Sequence, residues 1–257
     1  MHRTLRQMWE LTWELARTDL KLRYHGSALG VVWMVLKPLL LFAILSTVFS
    51  HAFGSTVVRY PLKGLTGVVL WTYFADGTSA GLQSLLTKGH LLAKVRLSPW
   101  VVVLASILQT TGVFLLNVLI MFLFFLGSRA LPNVGSLLLF GLQTLYLVGL
   151  IMGFALLTAP WYVRYRDLKP LWEVLLTLGF YLTPIIYPLS VIPDRYRPLI
   201  SLNPLTPIVE RATAALLGTE ETSATAGAVS PLVAVALLLL AGFVVFRRSA
   251  RYAPEHL

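Results

Sequence analysis

Charge is missing from this sequence in long blocks, and that constrains the fold more than any other feature. No Asp, Glu, Lys or Arg occurs between Lys37 and Arg59, between Arg96 and Arg129, between Arg129 and Arg164, between Glu173 and Asp194, or between Glu221 and Arg247. A sixth block, Leu65–Leu86, is interrupted by Asp76 alone. About 20 mostly apolar residues carry a helix across a bilayer, so each block can hold one span. Only 12% of the 257 residues are charged and 57% are hydrophobic. A soluble domain has about 25% charged residues, so a water-soluble globular fold is excluded. The fold expected is all-α: a single polytopic membrane domain over 1–257, with six transmembrane helices at 29–53, 65–86, 99–126, 136–160, 172–188 and 229–246.

Two further segments have their own texture. Over residues 1–20, Leu5, Met8, Trp9, Leu11, Trp13, Leu15 and Ala16 share one broad helical face, opposite Arg3, Arg6, Glu10, Glu14 and Arg17. A wide apolar face with Trp and a basic stripe reads as an interfacial amphipathic helix ending near Asp19; a cap packed on other helices is the plainer alternative. Between the fifth and sixth spans, Pro193, Pro198, Pro204 and Pro207 punctuate an apolar stretch. That pattern predicts short re-entrant helices over 189–217, closed by Gly218 and tolerated only against protein or a water-filled cavity. Gly77/Gly81 and Gly149/Gly153 have the small-xxx-small spacing of close helix packing, a pattern also common by chance.

Orientation follows from the basic residues. Fourteen of the 21 Lys and Arg fall on the side that holds both termini, six fall on the other, and Lys37 lies within a span. Both termini are therefore expected in the cytoplasm. The net charge of +10 is explained by that asymmetry and needs no nucleic-acid partner.

Catalytic and metal-binding signatures are not found. The five His are scattered without ligand spacing, and with no Cys there is no disulfide, thiolate site or Cys nucleophile. None of the six Lys follows a Gly, so the chain has no P-loop and no ATPase of that type. Lys37 and Asp76 are the intramembrane polar residues that call for an explanation, because a charge at the bilayer centre costs about 2.5–3.5 kcal/mol on insertion scales. Lys37 can snorkel to the headgroups. Asp76 either lines a polar pathway or hydrogen-bonds to Thr72 or Ser79 at a kink. The loop Thr87–Ser98 sets Leu91, Leu92 and Val95 at helical spacing beside Lys88, Lys94 and Arg96. It is either a plain positive-inside loop or a short helix for the groove of a cytosolic partner, and Arg166 and Asp167 lie in a second such segment. Aromatic residues gather at Trp71, Tyr73 and Phe74 and at Phe180, Tyr181 and Tyr187. They are either an interfacial belt or rings on which sugars stack in a channel.

These residues resemble the membrane (permease) subunits of ABC exporters for cell-surface polysaccharides, the O-antigen, capsule and teichoic-acid permeases. The resemblance is carried by DLKLRYHGSALGVVWMVLKPLL (Asp19–Leu40), Trp71–Phe74, LLAKVRLSP (Leu91–Pro99), VRYRDLK (Val163–Lys169) and PIIYPLSVIPDRYRPLISLNPLTPIVE (Pro184–Glu210). The C-terminal tail departs from the family in detail. The resemblance implies a homodimer in a bacterial cytoplasmic (inner) membrane, bound to two copies of a separate nucleotide-binding subunit. ATP and Mg would sit on that partner, with no cofactor in this chain. Lys88, Leu91, Leu92, Lys94, Val95, Arg96, Arg166 and Asp167 would meet the ATPase. Pro193, Tyr196, Asn203 and Pro204 would belong to a gate, and the six named aromatics would line a channel for a lipid-linked polysaccharide, O-antigen first. The alternatives are an ABC permease for a small lipid or drug and a stand-alone membrane enzyme of glycolipid metabolism.

Overall fold

The computed structural model describes residues 5–23, 29–53, 59–89, 98–219 and 230–249. These form α1 (Leu5–Arg23), α2 (Trp33–Phe53), α3 (Tyr60–Thr87), α4 (Pro99–Gly127), α5 (Val134–Arg164), α6 (Leu168–Leu182), α7 (Arg197–Ser201), α8 (Leu205–Leu217) and α9 (Pro231–Ser249). Among the described residues the secondary structure is all helical, with single 3-10 turns at Gly30–Val32 and Leu189–Val191.

Helix ends follow local chemistry. The Ser136 amide donates to the Asn133 side chain at 2.8 Å, capping α5. α4 opens at Pro99, where a missing N–H leaves no bond unmade. α6 stops at Leu182 because Pro184 disfavours helix in the residue before it; Thr183 is extended at φ −85°, ψ 133°. Gly218 closes α8 in the left-handed region at φ 65°.

Among the described residues four helices are long and apolar enough to cross a membrane: α2, α4, α5 and α9. The chain is a multi-pass membrane protein. The other two expected spans differ from the sequence reading in instructive ways. α3 runs 28 residues, about 42 Å, which exceeds the roughly 30 Å hydrocarbon core. Its hydropathy is lowered by Thr66, Thr72, Asp76, Thr78, Ser79, Gln83 and Ser84. Those residues are tolerable because α3 is the hub of the bundle, packed against α2, α4, α5, α6 and α8. α6 is shorter than the expected 172–188. Its 15 residues reach about 22 Å, and the chain then bends through Pro184. α1 continues past Asp19 to Arg23.

Close helix crossings are made by glycine. A Cβ on Gly81 would sit 2.4 Å from the Ala155 Cβ, and one on Gly77 would sit 2.9 Å from Ile151, so both glycines of that pair serve the α3–α5 contact. Gly149 and Gly153 serve the α5–α9 contact, with hypothetical Cβ atoms 2.5 Å from Val235 and 2.9 Å from Leu238. Gly242 completes it from the α9 side, its hypothetical Cβ 2.4 Å from the Gly153 carbonyl oxygen. Close approach of backbones is how membrane helices gain van der Waals contact without a hydrophobic driving force.

α1 lies across α4 and buries Thr12 and Ala16, while Trp9 and Trp13 stay exposed. The segment expected to be re-entrant forms α7 and α8. α8 is the deeper of the two, with Ile208, Val209 and Ala212 fully buried against α5 and α3.

Candidate functional site

One face of α3 is polar along its second half. Asp76, Ser79, Gln83 and Thr87 recur at intervals of three and four residues and therefore share a stripe. They face an open-sided chamber of about 490 Å³, lined also by Ser106 and Gln109 of α4 and by Asp19 and Leu22 of α1. Much of the wall is already hydrogen-bonded to its own helix: Gln83 Nε2 donates to the Ser79 carbonyl at 3.1 Å, and Thr87 Oγ1 donates to the Gln83 carbonyl at 2.9 Å.

Each end of the stripe carries an ion pair. At the deep end, Lys37 of α2 brings its Nζ to 3.9 Å from an Asp76 carboxylate oxygen. Asp76 is thus approached by a cation from a neighbouring helix, which neither sequence reading of it foresaw, while the Lys37 side chain itself stays 72% exposed. At the shallow end, Lys88 forms an ion pair with Asp19 of α1 and approaches Ser106 Oγ of α4 at 3.4 Å. The Lys88 side chain is only 7% exposed, so the pair ties the ends of three helices together. Expected at a partner-facing surface, Lys88 is an interior residue here. Its companions Leu91, Leu92, Lys94, Val95 and Arg96 lie outside the described residues. Arg166 and Asp167 are exposed at the turn between α5 and α6, with the Arg166 guanidinium 5.9 Å from the Tyr162 ring.

The six aromatic candidates divide into three groups. Tyr73 points away from α6: it stacks on Phe114 with ring centroids 4.2 Å apart and bonds Thr111 through its hydroxyl at 2.8 Å. Trp71, Phe74 and Phe180 join Phe154 and Trp172 in a ring cluster that seats α6 on α3 and α5. Trp71 is 5.6 Å from Phe180, Trp172 is 4.1 Å from Phe154, and the Trp172 Nε1 donates to Thr78 Oγ1 at 3.1 Å. Tyr181 is exposed on the opposite face of α6, and the Tyr187 hydroxyl donates to its carbonyl at 2.9 Å.

At the opposite end of the bundle, α8 is held to the start of α3. Lys63 Nζ lies 3.2 Å from Glu210 Oε1, with both side chains largely buried, and the Tyr60 hydroxyl donates to the Ile186 carbonyl at 2.6 Å. α8 is not a span, and burial there pushes the Glu210 carboxyl above its ordinary value while the Lys63 charge and hydrogen bond pull it back. This staple was missed in sequence; a lone Glu in an apolar, proline-punctuated segment was the available signal. Of the gate candidates, Pro193 and Tyr196 are exposed, whereas Asn203 and Pro204 form the corner between α7 and α8. Asn203 donates to Thr183 Oγ1 at 3.0 Å and accepts from the Leu205 amide at 3.1 Å. Among the described residues no three His, Asp or Glu come together as a metal site would require.

A family model described as ABC-2 type transporter matches residues 10–217, from α1 through α8. The chain belongs to the ABC-2 type transporter family. It is a membrane subunit of an ABC transporter, a class whose permeases pair with an ATPase subunit. Among curated proteins it is similar to the O-antigen export system permease protein RfbA of Myxococcus xanthus, 27% identical over 214 residues, covering 81% of this chain and 82% of that one. An RfbA of Klebsiella pneumoniae is 28% identical over 213 residues, covering 81% of each chain. Another from the same species is 27% identical over 211 residues, again with 81% of each chain covered.

Proposed function

We propose that this ABC-2 permease exports a lipid-linked cell-surface polysaccharide, O-antigen first, across a bacterial cytoplasmic membrane with both termini in the cytoplasm. Two copies form the channel and two copies of a separate P-loop ATPase drive it, with ATP and Mg bound on the partner. The observation that carries this reading is the similarity to O-antigen export permeases over four-fifths of the chain. The chamber supports it chemically. Hydroxyl and amide side chains line it, and its charges are met by opposite ones, Asp76 by Lys37 and Lys88 by Asp19. Such a wall offers hydrogen bonds to a polyhydroxylated chain without a net charge to trap it.

In this account Leu91, Leu92, Lys94, Val95 and Arg96 seat in the ATPase, and Arg166 and Asp167 touch it from the α5–α6 turn. Lys88 acts behind them as a tether to α1, which lies on the membrane surface with Trp9 and Trp13 in the interface. Trp71, Phe74 and Phe180 set the position of α6, the exposed Tyr181 is the ring of that helix left for the channel, and the α7–α8 corner with Asn203 and Pro204 forms the gate.

Affinity purification of the tagged full chain from its native membrane tests the reading. A near-stoichiometric P-loop ATPase is expected to accompany it. Reversing Lys94 and Arg96 to Glu is expected to cut that association at least tenfold while the permease still inserts. Recovery of the chain without an ATPase, or undiminished association of the double variant, would contradict the assignment.

A further inference from the structure

Glu173 of α6 is exposed, and among the described residues its carboxylate has no hydrogen bond or ion pair. Its depth is set by its neighbour. The Trp172 ring lies 6.2 Å from Phe74 and its Nε1 bonds Thr78, so Glu173 stands at the level of Asp76, midway between those two residues of α3. That level is about 16 Å along α3 from Thr87 and about 24 Å from Tyr60, inside the hydrocarbon core. Lys37 of α2 reaches the same level with its side chain 72% exposed. At 3.9 Å its contact with Asp76 is too long for a hydrogen bond, so the N–H donors of its ammonium group are unspent.

Unpaired charge at this depth is costly, and intramembrane ionisable residues pair with one another or face a water-filled space. The exposed sides of α2 and α6 are placed for pairing. Lys37, Leu40, Ile44 and Val48 recur at intervals of three and four and form one exposed stripe on α2, and Glu173 and Thr177 form another on α6. Both helices border one side of α3, because Phe42 and Ser46 of α2 share a recess with Gly64 and Val68 of α3 and with Ile185 and Ile186, just past α6. Each runs from the level of Asp76 towards that recess, so the two are parallel. We infer that a second copy of the chain docks its α6 against α2, with Lys37 paired to Glu173 of the partner subunit. A two-fold dimer makes this contact twice, each copy giving one cation and one anion. The inference rests on the two-copy reading above and adds the residues that set the register of the copies. An apolar seam alone can slide by a helical turn, whereas slippage here leaves both charges unpaired in the membrane.

The chain has no Cys, so introduced cysteines report on the seam alone. Two differently tagged full-length copies are expressed together, one with Leu40→Cys and the other with Thr177→Cys. Both positions lie one turn along their helices from the charged pair and leave it intact. Membranes are treated with a short bis-methanethiosulfonate, and a covalent dimer carrying both tags is expected as the main product. Leu40→Cys with Leu123→Cys, which is exposed on α4, is expected to give none. Glu173→Gln in both copies is expected to lower the yield of the first pair at least threefold while both chains still insert. Copies of dimeric native mass that do not cross-link, or an equal yield with Glu173→Gln, would overturn the inference and leave the two-copy reading standing. A monomeric mass would overturn both. Rapid reaction of Glu173→Cys with a membrane-impermeant thiol reagent, without the Leu40–Thr177 cross-link, would assign Glu173 to a water-filled pathway and overturn the pair.

Discussion

Lys88 follows the last turn of α3 with its ammonium group inside the protein, the side chain only 7% exposed. In the sequence it is the first cation of a basic loop, and positive-inside counting treats all such cations alike. In the fold it is buried between α1 and α4 with Asp19 and Ser106 as partners. Removing one member of such a pair leaves the other charge poorly solvated, a larger loss than for an exposed pair. Because Asp19 is about a quarter exposed, Lys88→Ala is expected to cost about 1–3 kcal/mol, between the exposed and the fully buried cases. The Asp19→Lys, Lys88→Asp exchange is expected to recover part of that loss. Thermal unfolding of the purified chain in detergent measures both; a Lys88→Ala variant as stable as the parent would contradict the tether. Asp76 was legible as a residue needing an explanation, since a carboxylate inside an apolar block stands out. Its partner was not, because Lys37 lies on another helix and only the packing of α2 on α3 brings the two to 3.9 Å.

At the scale of elements, the long apolar blocks were readable because each exceeds the bilayer thickness and carries no competing charge. The bounds of α4 and α9 differ from the sequence reading by at most three residues at either end. The misjudged ends have local causes. α6 was extended too far because apolar residues continue past Leu182, whereas Pro184 dictates the backbone there. α1 was ended too early because Asp19 broke an amphipathic pattern, yet that residue is turned toward Lys88 and the helix runs on. The glycine pairs carried too common a spacing to name their partners, and the fold assigns them to α3–α5 and α5–α9. Gly242→Val is expected to destabilise the α5–α9 pair by about 1–3 kcal/mol or more, as overpacking does, because its Cβ would meet backbone that cannot rotate away. Gly141→Ala, where a Cβ meets nothing within 4 Å, is expected to be neutral in the same unfolding assay. Equal stability of the two variants would contradict the close crossing.

For the whole molecule, the residues with chemical character are distributed by position along the bundle. The Asp19–Lys88 tether and the polar chamber occupy the end where α1 lies, the ring cluster sits midway, and the Lys63–Glu210 staple holds α8 at the far end. α3 runs past all of them, so one helix connects the Lys88 end of the bundle to the α8 end. That continuity suits a subunit that takes its energy from a partner at one face and opens at the other. The proposed export of a lipid-linked glycan is tested by depleting the chain in its native cell and measuring glycan on intact cells and in isolated membranes. Surface polysaccharide is expected to disappear while lipid-linked polymer accumulates in the membrane fraction, both reversed by restoring the wild-type chain. Unchanged surface polysaccharide after complete depletion would contradict it.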